Sequence, residues 1–250
     1  MKKTLLEIKN LKKMYHTLDD EVLAIDNLNL EVYENEIVAI VGPSGCGKST
    51  LLSILSNLEN KSSGEIIFHN SDNNIGYMLQ NDSLFPWRDI LNNCLIGLEV
   101  QNKLTIDNIN HVKDLLIKYG LKDFMESYPN NLSGGMKQRV ALIRTLATNP
   151  TLLLLDEPYS ALDYQTRLAL SNDLYKIIKQ ENKTAIMITH DIAEAISLAD
   201  RIIVLTKRPC QVKKIYNIEL ENKKTPLENR KDSKFSYYYD KIWRDLDVHI

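Results

Sequence analysis

The stretch "IVAIVGPSGCGKST", residues 37–50, joins a buried-strand signal to a phosphate-loop pattern. Residues 37–41 form an uninterrupted apolar run, which predicts a buried β-strand. Residues 42–49 match the pattern G-x-x-x-x-G-K-[ST], and a helix is expected from about Lys48. A glycine-rich turn that merely caps a helix is the alternative, but the match at every position between a strand and a helix favours a phosphate-binding loop.

Each residue type in this loop has a chemical reason to be there. The three glycines let the backbone curl so that its N–H groups point at phosphate oxygens. Lys48 can reach the β- and γ-phosphates of a nucleotide, and the Ser49 hydroxyl can ligate Mg²⁺. Cys46 is interpreted as a small filler. The predicted nucleotide-binding residues of the loop are Gly42, Pro43, Ser44, Gly45, Cys46, Gly47, Lys48, Ser49 and Thr50.

A second strand signal, "TLLLLDEP" at residues 151–158, ends in two carboxylates. Parallel α/β sheets bind ligands at the carboxyl ends of their strands. Asp156 can therefore hold Mg²⁺, and Glu157 can accept a proton from, or orient, the water that attacks the γ-phosphate. The alternative is a surface acidic pair before a helix-stopping proline. This alternative is the weaker one because the same chain contains a phosphate loop.

Composition excludes several classes of protein. The net charge of −2 over 250 residues gives no reason to expect a nucleic-acid partner. Three scattered cysteines fit neither a zinc site nor a disulfide framework and favour a reducing, cytosolic environment. No apolar run approaches the roughly 18 residues of a membrane span, so we expect a soluble protein. Residues 207–250 have 11 Lys or Arg against 7 Asp or Glu, a local excess of +4, which we interpret as a solvated surface rather than a lipid-binding one.

The order of the patterns predicts a sheet covered by helices. Strand signals at residues 65–69, 75–79, 151–155, 184–189 and 201–206 alternate with helical ones in the second half of the chain. From about 85 to 150 the pattern is helical, and in "IDNINHVKDLLIKYG" Gly120 is the expected helix stop. This segment is predicted to be an inserted helical subdomain.

A second possible anion site lies in "NLSGGMKQRVAL", residues 131–142. A serine hydroxyl, glycine N–H groups and a helix N-terminus together bind an anion without a charged side chain. Together with "DEP", "SALD" and "ITHD", this segment resembles the nucleotide-binding subunit of an ATP-binding-cassette (ABC) transporter over nearly the whole chain. In that family the signature glycines contact the γ-phosphate of a nucleotide held by the opposite subunit. The resemblance therefore implies that Ser133, Gly134 and Gly135 act in a dimer, with Met136 standing where many relatives have Gln.

The same resemblance implies further roles, residue by residue. Tyr15 resembles the aromatic that stacks on adenine, and Gln80 the glutamine that touches Mg²⁺ and the attacking water. Asp163 resembles the carboxylate across the dimer, and His190 the γ-phosphate sensor. The implied cofactors are ATP and Mg²⁺, with Ser49, Gln80 and Asp156 as metal ligands and Glu157, His190 and Gln80 as catalytic residues.

The implied fold class is α/β, a P-loop NTPase core with a mixed sheet, an N-terminal antiparallel β portion and an inserted α-helical subdomain. We predict one ABC ATPase domain over 1–250. Its catalytic core comprises 1–84 and 151–215, its helical subdomain 85–150 and its C-terminal tail 216–250.

"LFPWR" at residues 84–88, "DEPYSALD" and the aromatic tail are similar to the nitrate, sulfonate and taurine branch of importers. The branch also includes subunits that serve bicarbonate and vitamin precursors. Its implied partners are a second copy of the chain, an integral membrane permease and, indirectly, a solute-binding protein, at the cytoplasmic face of the membrane. Trp87 is interpreted as an interface residue, with a core anchor as the alternative.

Non-transport classes fit less well. A chromosome-maintenance ATPase would contain a long coiled-coil insertion, which this sequence lacks. A translation-type cassette protein would contain two sets of motifs, whereas this sequence has one. A small-molecule kinase would have no need of "LSGG" or "SALD".

Overall fold

The computed structural model describes residues 2–16, 20–70, 73–159, 163–221 and 223–246. Nine strands and eight α-helices lie within them. The strands are β1 (Thr4–His16), β2 (Glu21–Tyr33), β3 (Ile37–Val41), β4 (Ser63–Phe68), β5 (Ile75–Met78), β6 (Leu152–Asp156), β7 (Thr184–Ile188), β8 (Arg201–Leu205) and β9 (Val212–Asn217). The helices are α1 (Lys48–Leu55), α2 (Ile90–Val100), α3 (Ile106–Lys118), α4 (Gly134–Leu146), α5 (Tyr164–Gln180), α6 (Ile192–Leu198), α7 (Pro226–Asn229) and α8 (Phe235–Asp245).

The main sheet has six strands in the order β5-β6-β7-β3-β8-β9. The first five are mutually parallel, and β9 pairs antiparallel with β8. A second, antiparallel sheet has the order β2-β1-β4. The predicted α/β fold, with its mixed sheet and N-terminal antiparallel portion, is confirmed.

The strands β3, β6, β7 and β8 are buried at every position because both faces of the main sheet are covered. In β3, Ile37, Ala39 and Val41 belong to one core, which includes α2 to α6, whereas Val38 and Ile40 belong to another, formed with α1 and the antiparallel sheet. The sheet therefore lies between two hydrophobic layers. The rigid carboxyl ends of its strands are the platform for the polar residues described below.

The helices begin at side-chain caps that the sequence supplies. Asp89, Thr105, Ser133, Asp163 and Asp191 each accept a hydrogen bond from a backbone N–H in the first turn of α2, α3, α4, α5 and α6, respectively. As predicted, α3 ends just before Gly120, whose φ of 75° is left-handed. Among the described residues, every helix is too short or too polar to span a bilayer.

The C-terminal segment packs onto the main sheet and its helices. The predicted boundary of the tail, residue 216, lies inside β9. Tyr216, Ile218 and Leu220 are buried in the core that includes α2 to α6. Helix α8 packs against α6 through Ile242, which is fully buried.

Replacing Ile242 with Ala is expected to lower the free energy of unfolding by about 2–5 kcal/mol, because buried methyl groups are lost and a cavity is left. Nucleotide affinity of the folded protein should not change, since no residue of α8 lines the cavity beside the phosphate loop. Urea unfolding and nucleotide titration measure the two effects, and Ser236→Ala on the exposed side of α8 is the control. Unchanged stability would contradict a structural role for the tail.

Candidate nucleotide-binding and hydrolysis site

A cavity of about 570 Å³ lies beside the phosphate loop. Its volume is in the range of small-molecule sites. The lining residues are Tyr15, Val22, Ala24, Ser44, Gly45, Gly47, Lys48, Ser49, Thr50, Glu157 and Arg208. The structure thus brings six residues of the predicted loop together with three residues of the antiparallel sheet and the carboxylate that follows β6.

The curl of the loop requires glycine. Gly45 and Gly47 have φ of 71° and 120°, in the left-handed region that other residues avoid. A Cβ on Gly47 would also lie 3.1 Å from the carbonyl oxygen of Ala24. Both the backbone conformation and the close approach of β2 therefore depend on the absence of a side chain.

Lys48 lies at the centre of the loop. Its ammonium donates to the carbonyl oxygens of Gly42, at 2.8 Å, and Pro43, at 3.0 Å. Only 8% of the residue is exposed. A buried ammonium at the N-terminus of α1 places a positive charge where the loop N–H groups also favour an anion.

Asp156 and Ser49 form an oxygen-donor pair beside Lys48. The Ser49 hydroxyl donates to Oδ1 of Asp156 at 3.4 Å, and the Tyr77 hydroxyl donates to Oδ2 at 3.3 Å. Burial raises the pKa of Asp156, while these two hydrogen bonds oppose the rise. Burial and the nearby carboxylate together raise the pKa of Tyr77 to about 12, so Tyr77 remains a donor.

Hard oxygen ligands of this kind fit Mg²⁺, which binds proteins through one or two oxygen ligands and keeps its remaining positions for water and substrate phosphates. Tyr77 was not predicted as a site residue. Tyr77 lies near the end of the strand signal at residues 75–79, and the neighbouring strand ends in a carboxylate. This position is the signal that could have identified Tyr77.

The three predicted catalytic side chains converge. Oε2 of Glu157 lies 3.2 Å from Nε2 of Gln80 and 3.4 Å from Nδ1 of His190. Gln80 follows β5, Glu157 follows β6 and His190 follows β7, which are adjacent parallel strands. The carboxyl ends of neighbouring strands thus deliver one group each to the same point, as expected of an α/β sheet.

Glu157 is held in an unusual backbone conformation. Its φ is 45°, in the left-handed region that is unfavourable for a side chain of this size, and its N–H donates to the carbonyl oxygen of Ile188 at 3.0 Å. Such strain persists only where the surroundings fix it, and it clusters at functional sites. The strain therefore agrees with a catalytic role for Glu157.

A buried network supports the turn that contains His190. The Thr189 hydroxyl hydrogen-bonds Glu194, which is 3% exposed, and accepts from the N–H of Asp191 at 3.1 Å. Burial raises the pKa of Glu194, while the Thr189 hydrogen bond opposes the rise. This network, which the sequence did not predict, fixes the turn between β7 and α6 and with it the backbone of His190.

Tyr15 lines the cavity beside Thr50, with 3.5 Å between the two hydroxyl oxygens. Its hydroxyl donates to Oε2 of Glu59 at 2.8 Å, and the ammonium of Lys13 lies 4.5 Å from the centre of its ring. Because an aromatic ring faces the cavity there, the position suits the predicted contact with a base. That contact stays a prediction.

Ser133, Gly134, Gly135 and Asp163 lie elsewhere on the described surface, outside the lining of this cavity. Ser133 caps α4, and a Cβ on Gly135 would lie 3.1 Å from Cγ2 of Thr166. Asp163 in turn accepts from the N–H of Thr166 at 3.0 Å, and hydrogen bonding to Thr166 lowers the pKa of its carboxyl. The structure therefore places these residues side by side on one surface, whereas residues 160–162 of "SALD" lie outside the described part.

Trp87 is 70% exposed, so the core-anchor alternative is wrong. Its ring packs against that of Phe85 with a centroid distance of 5.2 Å. Leu104 and Tyr128, both about half exposed, lie on the same surface depression of the helical segment. These four residues form an exposed apolar surface.

Comparison with known proteins agrees with this geometry. The profile of the ABC transporter family matches residues 25–160. The ABC transporter ATP-binding protein YtlC of Bacillus subtilis (strain 168) is 40% identical over 97% of this chain and 95% of its own length. The aliphatic sulfonates import ATP-binding protein SsuB of Bacillus thuringiensis subsp. konkukian (strain 97-27) is 34% identical, covering 97% and 96%.

The nitrate import ATP-binding protein NrtD of Synechocystis sp. (strain ATCC 27184 / PCC 6803 / Kazusa) is 37% identical, covering 95% of this chain and 93% of its own. A dimeric, post-hydrolysis structure of the ATP-binding cassette MJ0796 with ADP and Pi superposes with a TM-score of 0.73 at 32% identity, covering 86% of this chain and 99% of that one.

The fold and the site define the class of this protein as a nucleotide-binding α/β cassette with an inserted helical segment. The chain belongs to the ABC transporter family and is an ATPase of that family, with sulfonate and nitrate importer subunits among its relatives. The resemblance predicted from the motifs is confirmed.

Proposed function

We propose that this chain is the ATP-hydrolysing subunit of an ABC import system, which dimerises around two ATP molecules and drives a membrane permease for a small anion such as nitrate, a sulfonate or taurine. The separation of the two anion sites is the observation that supports the proposed dimer. The Lys48 loop lines the cavity, whereas Ser133 to Gly135 face outward beside Asp163. A second copy can bring its own Ser133 face to the phosphates held by Lys48.

Each residue of the site has a distinct proposed role. The loop from Gly42 to Thr50 holds the phosphates, and Tyr15 contacts the base. Ser49, Asp156 and Gln80 are the proposed ligands of Mg²⁺, which when bound would neutralise phosphate charge. Glu157 accepts a proton from, or orients, the attacking water, with His190 and Gln80 fixing its carboxylate.

Small-anion import is supported by two relatives, the aliphatic sulfonates import ATP-binding protein SsuB and the nitrate import ATP-binding protein NrtD. Subunits for bicarbonate or a vitamin precursor are the alternative within the same class, and a non-transport ABC ATPase is the less favoured one. The proposed location is the cytoplasmic face of the membrane, bound to the permease.

The test is transport by the reconstituted system. The chain and the permease encoded beside its gene are placed in proteoliposomes with the matching solute-binding protein, and ATP-dependent uptake of nitrate, taurine, an alkanesulfonate and bicarbonate is measured. Uptake of one of the first three supports the proposal. Uptake of bicarbonate alone, or of none of the four solutes despite stable permease binding, would overturn the choice of a small anion such as nitrate, a sulfonate or taurine.

The exposed surface around Trp87 is the proposed contact with the permease. In Trp87→Ala, uptake or permease affinity should fall by about tenfold or more, because an exposed aromatic anchor is lost, while basal ATPase of the isolated subunit stays within about twofold. Tyr237→Ala, which removes an aromatic that is 54% exposed on α8, is the matched control. Equal loss of ATPase and transport in Trp87→Ala would contradict the coupling role.

A further inference from the structure

The loop between β8 and β9, Thr206–Gln211, is a closed turn at the carboxyl end of a central parallel strand. The Thr206 N–H donates to the carbonyl oxygen of Gln211 at 3.0 Å, and the Gln211 N–H donates to the Thr206 hydroxyl at 3.0 Å. That hydroxyl donates in turn to the carbonyl oxygen of Pro209 at 2.9 Å. With its ends tied together, the loop presents its middle residues in a fixed orientation.

Cys210 anchors this loop to its neighbours. Its N–H donates to the carbonyl oxygen of Ala24 at 2.9 Å, and its carbonyl accepts from the N–H of Asp26 at 3.2 Å. A Cβ on Gly47 of the phosphate loop would lie 3.2 Å from Cβ of Cys210, so the two loops are in close contact.

Arg208 extends from this anchored loop to the nucleotide cavity. Its Nη2 donates to the carbonyl oxygen of Gly45 at 2.8 Å, and its side chain lines the cavity with Lys48 and Ser49. Within the described ranges no carboxylate forms an ion pair with Arg208 at 4.0 Å or less, although Lys13, Arg139 and several other cations have one. Its positive charge is therefore available to a ligand in the cavity.

A guanidinium at this carbonyl has two consequences for anion binding. It holds the carbonyl of Gly45, a residue in the left-handed conformation that the curl of the phosphate loop requires. It also adds an exposed cation to the wall of the cavity, where it can form charge-assisted hydrogen bonds to an anionic ligand.

We propose that Arg208 is a nucleotide-binding residue, which positions the phosphate loop through Gly45 and supplies a positive charge to the phosphates of a nucleoside di- or triphosphate. The inference rests on the proposed nucleotide site and adds a residue that none of the motifs contains. Arg208 hydrogen-bonds the phosphate loop, whereas Gln80 and His190 are the side chains that contact Glu157, so Arg208 contributes to binding and not to the hydrolytic step.

The test compares Arg208→Ala, Arg208→Lys and Lys207→Ala in the full-length chain, by titration with ATP and with ADP and by steady-state ATPase assays. Arg208→Ala should weaken binding of both nucleotides by about tenfold, since a charge-assisted hydrogen bond is lost, and should raise KM while kcat stays within about twofold. Arg208→Lys keeps the charge without the planar fork and should recover part of the affinity. Lys207→Ala removes an exposed neighbouring charge and should bind like the unsubstituted chain.

The outcomes separate the inference from the function on which it rests. Failure of the unsubstituted chain to bind ATP or ADP would contradict the nucleotide site itself. Normal affinity in Arg208→Ala, or equal losses in Arg208→Ala and Lys207→Ala, would overturn the role of Arg208 and leave the site intact. A fall in kcat with unchanged affinity would also overturn it, and melting temperatures within about 2 °C of each other confirm that folded proteins are compared.

Discussion

Glu157→Gln is expected to lower ATP hydrolysis by about 100-fold or more while ATP binding persists. The amide keeps the shape of the side chain but cannot accept a proton, and Lys48 with its loop is untouched. Unhydrolysed ATP should then be held between the phosphate loop of one copy and the Ser133 to Gly135 face of the other. A stable dimer should accumulate with ATP and Mg²⁺ and should dissociate with ADP, whose missing γ-phosphate leaves the second face no ligand.

Size-exclusion chromatography with light scattering measures this dimer. Ser133→Arg on the Glu157→Gln background should restore the monomer, because a long side chain at the cap of α4 blocks the exposed face formed by Ser133, Gly134 and Gly135. Nucleotide should still bind at Lys48. Ser236→Arg on the exposed side of α8 is the control for an added arginine. A monomer under saturating ATP, or an equal dimer with ADP, would remove the support for a site shared between two copies.

Lys48→Ala should reduce ATP hydrolysis by about 100-fold to 1,000-fold, as expected when a preorganised donor to developing charge is lost. Nucleotide affinity should fall by about tenfold to 100-fold, because the ammonium that faces the carbonyls of Gly42 and Pro43 is the cation at the centre of the loop. ATPase assays and titration with ATP measure the two losses.

Lys61→Ala, which removes an exposed lysine outside the cavity, is the matched charge control for Lys48→Ala. Thermal unfolding verifies that both variants are folded. Turnover in Lys48→Ala close to that of the control would show that the cavity is not the site of hydrolysis.

These two predictions concern groups that local sequence could identify. The loop at 42–50 and the carboxylates at 156 and 157 each follow a run of apolar residues, and a run buried on both faces has the same appearance wherever its strand lies in the sheet. Such runs predicted the parallel strands of the main sheet, and Gly120 predicted the end of α3. The first strand, β1, was harder to predict because register shifts between Ile8 and Met14 and a positive φ at Asn10 interrupt its alternation.

The exposure of Trp87 could not be predicted from the chain alone. "LFPWR" suits both an interface and a core anchor, since local sequence does not state which side of a turn faces the neighbouring helices. Only packing of the helical segment leaves this ring 70% exposed.

By itself, the sequence determined that the chain has a phosphate-loop pattern around Lys48, carboxylates after a buried strand and the signature residues of an ABC ATPase, because these features depend on neighbouring residues. The tertiary structure alone decided which distant residues meet. Gln80 reaches Glu157 because β5 and β6 are adjacent, and Arg208 reaches Gly45 because β8 lies beside β3. The physical reason is that strand order results from burying the whole core at once, a property that no segment of the chain possesses by itself.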